Sequence, residues 1–550
     1  MTALATRPAI DAIVSALDPA QRAAATLPDG PAQVIAPAGS GKTTTLIARL
    51  GVLLDRGVAA ERILVVTFNR DAAAELSSRV RDRLEPTLPG AAAIEVRTLH
   101  ALARQVLLDA GCGVRLVADR LPLLRAARRR SLVGRRPEEP PPPDVAALDT
   151  LLSLWKIERR AAPTEAGAAL AEFGALLAAR GALDFDDLVV RACELLETDP
   201  PLRARWQGRF SHVLVDEFQD VDAAQLRLVR TLAEPERNLV VVGDDDQTIY
   251  AWRLADVRRI LDFGFSYPDA TRIQLTTNYR CPPAVVSASD RLIAVNRERF
   301  AKEIRAGLPS AGGHPQLLAF ATDADDWPNR LVALARAAVV AGSVCFLART
   351  RTELTPVVLA LVRAGVPHRT SLPAPVDADP VIALADALRG SPATGPPFEP
   401  LLRLRAARRW TRAEDELGDD EHAALDAFLG WSAGFSSGAT FLEGYDAARE
   451  RLAALRDPAA PIELVTVHGA KGREWQTVVI VGFEEDRFPN RRALVGAALP
   501  ERAIEEERRL AYVALTRARR QLVLAFDPTR PSRFLAEMGY RPTSRATAER

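Results

Sequence analysis

Two short apolar runs in the chain each stop abruptly in acids: Val213-Leu214-Val215 meets Asp216-Glu217-Phe218-Gln219-Asp220, and Val240-Val241-Val242-Gly243 meets Asp244-Asp245-Asp246-Gln247. Apolar runs of this length suit strands buried on both faces of a parallel sheet, and ligands of such sheets lie beyond the carboxyl ends of the strands. The acids therefore stand where a ligand binds. Asp216 could hold Mg²⁺ through its carboxylate or a bound water, Glu217 could orient and polarise an attacking water, and Gln247 could sense a terminal phosphate. The alternative for the acids alone is that they cap strand ends and begin helices.

A second motif favours the chemical reading. Gln33-Val34-Ile35 runs into Pro37-Ala38-Gly39-Ser40-Gly41-Lys42-Thr43, and a helical pattern with Leu46, Ile47 and Leu50 follows. Glycines let the backbone turn tightly, so that the N–H groups of Ala38, Gly39, Ser40 and Gly41 can face phosphate. The helix that follows adds the positive end of its dipole. In this loop Lys42 reaches the β- and γ-phosphates and the Thr43 hydroxyl meets Mg²⁺. The strict pattern has glycine where this chain has Ala36. The expected ligand is ATP with Mg²⁺.

Of 72 basic residues only Lys42, Lys156, Lys302 and Lys471 are lysines. A lysine in a Gly-rich loop of such an Arg-rich chain points to chemistry that wants a compact ammonium. Lys471, in Val465-Thr466-Val467-His468-Gly469-Ala470-Lys471-Gly472, shares that setting. At 550 residues and a formal charge of +1, the chain calls for two or more domains, and any nucleic-acid surface must be a local stripe. The four cysteines, Cys112, Cys193, Cys281 and Cys345, are far apart and have no metal-ligand or disulfide spacing. No apolar run reaches membrane-span length, and Arg7, Pro8 and Asp11 interrupt the start of the chain, so a cytoplasmic protein with no membrane partner is expected.

Strand and helix patterns alternate from the phosphate loop to residue 104, lapse from 105 to 180 into an Arg-rich run followed by Glu138-Glu139-Pro140-Pro141-Pro142-Pro143, and resume at Leu183-Asp184-Phe185-Asp186-Asp187. A second strand–helix region begins near 275, and a second charged helical stretch near 373. The expected Arg-rich run is solvated helix surface.

Leu17-Asp18-Pro19-Ala20-Gln21, the phosphate loop, Thr67-Phe68-Asn69-Arg70, Arg97-Thr98-Leu99-His100, the two acid-tipped segments, Thr276-Thr277-Asn278-Tyr279-Arg280, the Lys471 segment and Leu515-Thr516-Arg517-Ala518-Arg519 together, in order, closely resemble the motifs of UvrD/Rep-type superfamily 1A helicases over residues 17–520. The resemblance implies an α/β fold of two RecA-like P-loop domains with parallel sheets, each carrying a small helical insertion. The implied divisions are 1–104 with 181–274 (domain 1A), 105–180 (insertion 1B), 275–372 with 459–530 (domain 2A), 373–458 (insertion 2B) and a polar tail at 531–550. It also implies ATP-driven 3′ to 5′ movement on single-stranded DNA or at a single-strand/duplex junction, in DNA repair or recombination.

Implied nucleotide residues are Gln21 on the adenine edge, Tyr279 stacked on adenine, Glu474 on the ribose, and Arg280 and Arg517 as arginine fingers from the second domain. Thr44 stands beside the adenine where relatives usually carry arginine. Implied DNA contacts are Phe68, Phe185, Tyr250 and Trp252 as stacking surfaces, with Asn69, Thr98, His100, Arg253, His468 and Lys471 around them. Stacking and phosphate contacts do not by themselves separate DNA from RNA. Arg473 and Trp475 replace the usual leucine and phenylalanine of the family pattern, and both insertions are short. The short insertions leave open an ATPase motor subunit that works with a nuclease, repair or phage-defence partner. The third alternative, a nucleotide-gated binding module, is disfavoured by Lys42, Glu217, Arg280 and Arg517 together.

Overall fold

The computed structural model describes residues 7–540 except 134, 137, 308–315, 320–325, 372–373, 392–394, 411–416, 418, 496 and 498. The chain forms two compact units, Met1–Ser310 and Ala311–Arg550.

The first unit is built on a six-stranded parallel sheet: β1 (Ala32–Ile35), β2 (Ile63–Thr67), β3 (Glu95–Thr98), β4 (His212–Val215), β5 (Leu239–Gly243) and β6 (Thr271–Gln274), ordered β3-β2-β4-β5-β1-β6. The central strands are buried throughout because helices cover both faces, and alternate residues enter two different cores. Leu64, Val66, Val213, Val215, Leu239 and Val241 pack on one side. Ile63, Val65, Leu214, Val240 and Val242 pack on the other. Register aligns Ile35 with Gly243 and Thr67 with Thr98, so all the acid- and glycine-bearing turns emerge at one sheet edge.

A two-stranded pair, β7 (Thr277–Asn278) with β8 (Arg305–Ala306), also belongs to this unit. The division between the units falls at Ser310/Ala311, later than the expected opening of the second domain at 275, and Tyr279 and Arg280 lie in the first unit. Backbone hydrogen bonds hold them there: Leu275 N donates to Ile35 O at 2.9 Å and Tyr279 N to Gly39 O at 2.8 Å.

The first insertion has its own core of Leu124, Leu148, Leu152, Leu170 and Phe173. The helix Leu99–Asp109 packs instead in the sheet's core through Leu102, Val106 and Leu107, so the insertion begins later than residue 105. In the Arg-rich helix Leu121–Ser131, Arg129 and Arg130 are exposed as expected of solvated surface. Arg128 is not, because its Nε donates to Pro143 O at 2.8 Å and ties the helix to the proline connector.

The second unit holds a parallel sheet of β9 (Gln316–Ala319), β10 (Val344–Ala348), β11 (Arg369–Thr370), β12 (Ile462–Thr466), β13 (Trp475–Val481) and β14 (Ala518–Phe526), ordered β11-β12-β10-β13-β14-β9. Its helical insertion has a separate core of Leu384, Leu401, Leu425, Phe428, Phe441 and Tyr445. The expected polar tail starts too early at 531: Phe534, Leu535 and Met538 are buried, and Ser532 Oγ donates to Phe488 O at 2.5 Å. Phe534 completes a cluster with Phe483 and Phe488, with centroids 6.3 and 6.2 Å away. Residues 541–550 of that tail lie outside the described residues.

Candidate functional site

The loop after β1 is shaped by Gly39 and Gly41, at φ +72° and +79°. A Cβ on Gly39 would stand 2.5 Å from Asn278 Oδ1 and 2.9 Å from Arg280 Cβ, which excludes a side chain by space as well as by dihedral. At Gly41 a Cβ would meet only the movable Gln21 amide at 2.5 Å, and the left-handed φ is the main constraint. The helix Lys42–Asp55 starts directly from Gly41, and Thr43 and Thr44 lie in its first turn with Thr44 exposed. Ser40 Oγ is buried with no hydrogen-bond partner among the described residues, a donor that a phosphate oxygen would satisfy.

Two residues expected at the base enclose the loop from one side. Gln21 donates from Nε2 to Ser40 O at 2.9 Å, and its Oε1 accepts from Asp18 N at 3.2 Å. Tyr279 is half exposed, and its hydroxyl donates to Asp18 Oδ2 at 2.7 Å. Asp18 therefore anchors both. It was not singled out from sequence, although Asp18-x-x-Gln21 carries the spacing of a capping box, the motif it forms. Arg280 N and Cys281 N both donate to Asn278 Oδ1 at 2.9 Å, which fixes the Tyr279-Arg280 turn beside the loop.

Lys42 Nζ lies 2.8 Å from Glu217 Oε1, both partly buried. Burial lowers the lysine pKa, but Glu217 and Asp216 outweigh it and hold the ammonium above its ordinary 10.5. Glu217 adopts φ +52°, a left-handed conformation that costs a non-glycine residue about 1–2 kcal/mol and marks a constrained turn. Its N–H donates to Asp216 Oδ1 at 2.9 Å. Gln219, fully buried and missed from sequence, bridges the two acid-tipped turns: Nε2 donates to Glu217 Oε2 at 2.5 Å, and Oε1 accepts from Asp244 N at 3.0 Å. Gln247 Nε2 in turn donates to Asp244 Oδ2 at 2.7 Å. One polar chain thus connects Lys42 to Gln247. Of the expected catalytic set, Lys42, Asp216, Glu217, Gln247 and Arg280 belong to the first unit.

At the same sheet edge a cavity of about 630 Å³ is lined by Phe68, Asn69, Thr98 and His100 together with Phe185, Trp252 and Arg253. Phe68 stacks on Tyr250 with centroids 4.8 Å apart, Tyr250 meets Trp252 edge-on at 6.2 Å, and Arg253 lies over Trp252 at 4.6 Å. Trp252 is 59% exposed and Phe185 38%, so these rings are not core. His100 packs edge-on against Phe185 at 5.7 Å, and burial lowers its pKa, leaving an uncharged ring at neutral pH. Asn69 and Thr98 have local duties: Asn69 Oδ1 accepts from Ala72 N at 2.8 Å and Thr98 Oγ1 from Ala101 N at 3.2 Å, each capping a helix. The floor near Phe185 is rigid because Lys156 Nζ pairs with Asp184 and Asp187 at 2.9 and 2.8 Å, and Arg120 with Asp184 and Asp186 at 3.2 and 2.5 Å.

In the second unit Arg517 is 1% exposed, donating from Nε to Val513 O at 2.8 Å and from Nη1 to Arg473 O at 3.3 Å. Glu474 pairs with Arg519. His468 and Lys471 flank the short turn after β12 and are partly buried. The two departures at 473 and 475 form one set. Buried Glu463 accepts from Trp475 Nε1 at 3.0 Å and pairs with Arg473, whose guanidinium lies over the indole at 5.0 Å. Trp475→Phe is expected to remove a hydrogen bond to a buried carboxylate and lower stability by ~1–3 kcal/mol, read as a lower thermal midpoint. An unchanged midpoint would show that Arg473, with Arg369 at 2.8 Å from Glu463 Oε2, satisfies the carboxylate without the indole.

The profile for the UvrD/REP helicase N-terminal domain matches residues 17–132 and 146–268, and that for the UvrD-like helicase C-terminal domain matches 441–527. The chain is similar to the ATP-dependent DNA helicase UvrD2 of Mycobacterium tuberculosis, 32% identical over 609 positions that cover 98% of this chain and 83% of the relative. It is also similar to the ATP-dependent DNA helicase UvrD1 of the same organism, at 28% identity over 94% of this chain and 82% of the relative. The ATP-dependent DNA helicase PcrA of Leuconostoc citreum is 27% identical over 96% of this chain and 85% of the relative.

Proposed function

For this chain, which belongs to the UvrD/Rep helicase family, we propose an ATP-dependent DNA helicase that hydrolyses ATP to move 3′ to 5′ along single-stranded DNA in repair or recombination. The observation that carries the reading is the polar chain from Lys42 through Glu217 and Gln219 to Gln247, set at the same sheet edge as the aromatic cavity.

Thr43 and Asp216 are the residues that would hold Mg²⁺, which would supply positive charge against the negative charge that develops on the phosphates. Nucleotide phosphates compete with Glu217 for the Lys42 ammonium. Once Lys42 turns to phosphate, the Glu217 carboxylate is released to accept a proton from water. The water oxygen bonds to the γ-phosphorus, the bond to the bridging oxygen breaks, and ADP leaves with that electron pair. Gln247, held by Asp244, marks the γ-phosphate position. It lies three residues before Tyr250, so its displacement on phosphate release has a short path to the Phe68–Tyr250–Trp252 stack that grips bases. Arg280 and Arg517 are the arginines that would place positive charge on the γ-phosphate.

The test is ATP turnover with and without single-stranded DNA, beside unwinding of 3′-tailed and 5′-tailed duplexes. DNA-stimulated hydrolysis with 3′-tail unwinding is expected; absence of stimulation would overturn the DNA assignment, and 5′-tail unwinding the polarity. Trp252→Ala should leave DNA-free turnover unchanged and weaken single-strand binding by ~1–3 kcal/mol, the worth of one base–aromatic stack. Unaltered binding by fluorescence anisotropy would remove Trp252 from the base path.

A further inference from the structure

Lys302, one of the four lysines, lies outside the polar chain from Lys42 to Gln247. Its side chain is fully buried, with Nζ 2.7 Å from Asp244 Oδ1, 2.6 Å from Asp245 Oδ1 and 2.6 Å from Asp246 Oδ2. Arg299 adds a two-point pair to Asp246 at 3.0 and 2.9 Å, and Phe300 N donates to Asp245 Oδ2 at 2.8 Å. Three buried carboxylates are thus met by two cations from one short segment.

Charge balance alone would explain a lysine here, since an uncompensated buried charge is strongly destabilising. The geometry goes further. Lys302 holds one oxygen of Asp244, and Gln247 donates to the other, Oδ2, at 2.7 Å. The Asp244 backbone N–H is held by Gln219, which also holds Glu217. Asp244 is therefore fixed at three points, and its carboxylate cannot rotate without disturbing Gln247. The segment bearing Lys302 then continues into β8, where Arg305 N donates to Thr276 O at 2.7 Å and Ala306 aligns with Asn278 beside the phosphate loop. Lys302 thus joins the Gln247 turn to the strand pair that carries Tyr279 and Arg280. An ammonium suits a point with three acceptors at short range, whereas a planar guanidinium does not.

We propose that Lys302 is a positioning residue for ATP hydrolysis, acting through the Asp244 carboxylate to place the Gln247 amide; this rests on the function proposed above. The isosteric, uncharged Lys302→Met keeps the stem and loses the ammonium. Misplacing a group by about 1 Å costs on the order of 10²-fold, so kcat should fall by about 10- to 100-fold while KM for ATP stays within about threefold. If Lys302 acts through Gln247, the two losses are not additive. In a Gln247→Ala background, Lys302→Met should lower kcat by less than about twofold.

The experiment measures steady-state turnover of the full chain with single-stranded DNA for wild type, both single variants and the double variant, with a fluorescent ATP analogue for binding. An equal loss from Lys302→Met in both backgrounds, or no loss in the wild-type background, would overturn the proposal. If Lys302→Met melts below the assay temperature, Asp245→Asn/Lys302→Met replaces it. That pair removes one charge of each sign, and an asparagine oxygen still accepts Phe300 N. Low kcat in that folded variant supports positioning, and wild-type kcat overturns it in favour of a counterion role. Failure of the wild-type chain to show DNA-stimulated turnover would instead sink the functional reading and is distinguishable from every outcome above.

Discussion

Lys42→Ala is expected to abolish ATP turnover, lowering kcat/KM by at least about 10²- to 10³-fold, the loss seen when one preorganised donor to developing charge is removed. The position leaves little room for substitution. The helix starts at Lys42 directly after left-handed Gly41, so the ammonium stem leaves the backbone at a defined angle. Its partner Glu217 lies at 2.8 Å on the acid-tipped turn after β4, which β5 separates from β1 in the sheet. Removing the lysine also leaves Glu217 beside Asp216 with no cation from the loop, so nucleotide affinity should fall along with turnover. The fold should persist because the pair is partly open to solvent. Phosphate release and titration with a fluorescent ATP analogue check both parts, and normal hydrolysis would overturn the site assignment. The pair should not make stability vary near neutral pH. A lysine whose folded pKa is raised contributes fully below its unfolded value near 10.5 and loses that contribution only as pH climbs through the higher folded value.

Glu217→Gln is the second large effect, with turnover falling about 10²- to 10⁴-fold, the range expected for loss of a positioned general base. Here ATP binding should survive or tighten slightly, because Lys42 no longer has a carboxylate competing with phosphate for its charge. The amide fits the same space. Its oxygen can still accept from Gln219 Nε2, and the left-handed backbone at φ +52° is no worse for glutamine than for glutamate. A melting temperature close to wild type with bound but unhydrolysed ATP is the expected outcome. Normal turnover would move the base to another residue of the same turn and leave Lys42 in place.

The two predictions separate because the proposed roles differ, Lys42 binding phosphate and Glu217 activating water, a distinction already present in the residue types. Motif chemistry of this kind is local. A strand-like run followed by glycines and a lysine needs only backbone geometry to become a phosphate loop. The alternation of Ile63, Leu64, Val65 and Val66 between two cores follows directly from the strand period of two. The capping box that places Gln21 is likewise written within four residues.

Sequence by itself therefore determined the parallel α/β class, the glycine-rich loop after β1, the acid-tipped strand ends and the family. These depend on periodicity and on spacings within a single turn. Tertiary structure alone decided which polar groups share an atom. Asp244 receives Lys302 from 58 residues away, the Gln219 bridge between two turns exists only because β4 and β5 are neighbours, and Tyr279 leans on Asp18 across 261 positions. It also placed Tyr279 and Arg280 in the first unit and packed Phe534 against Phe483 and Phe488. The physical reason is the same in each case. A hydrogen bond or ion pair is specified by distance and direction to within fractions of an ångström, and those are set by strand order and helix packing, which a local pattern of residue types does not encode.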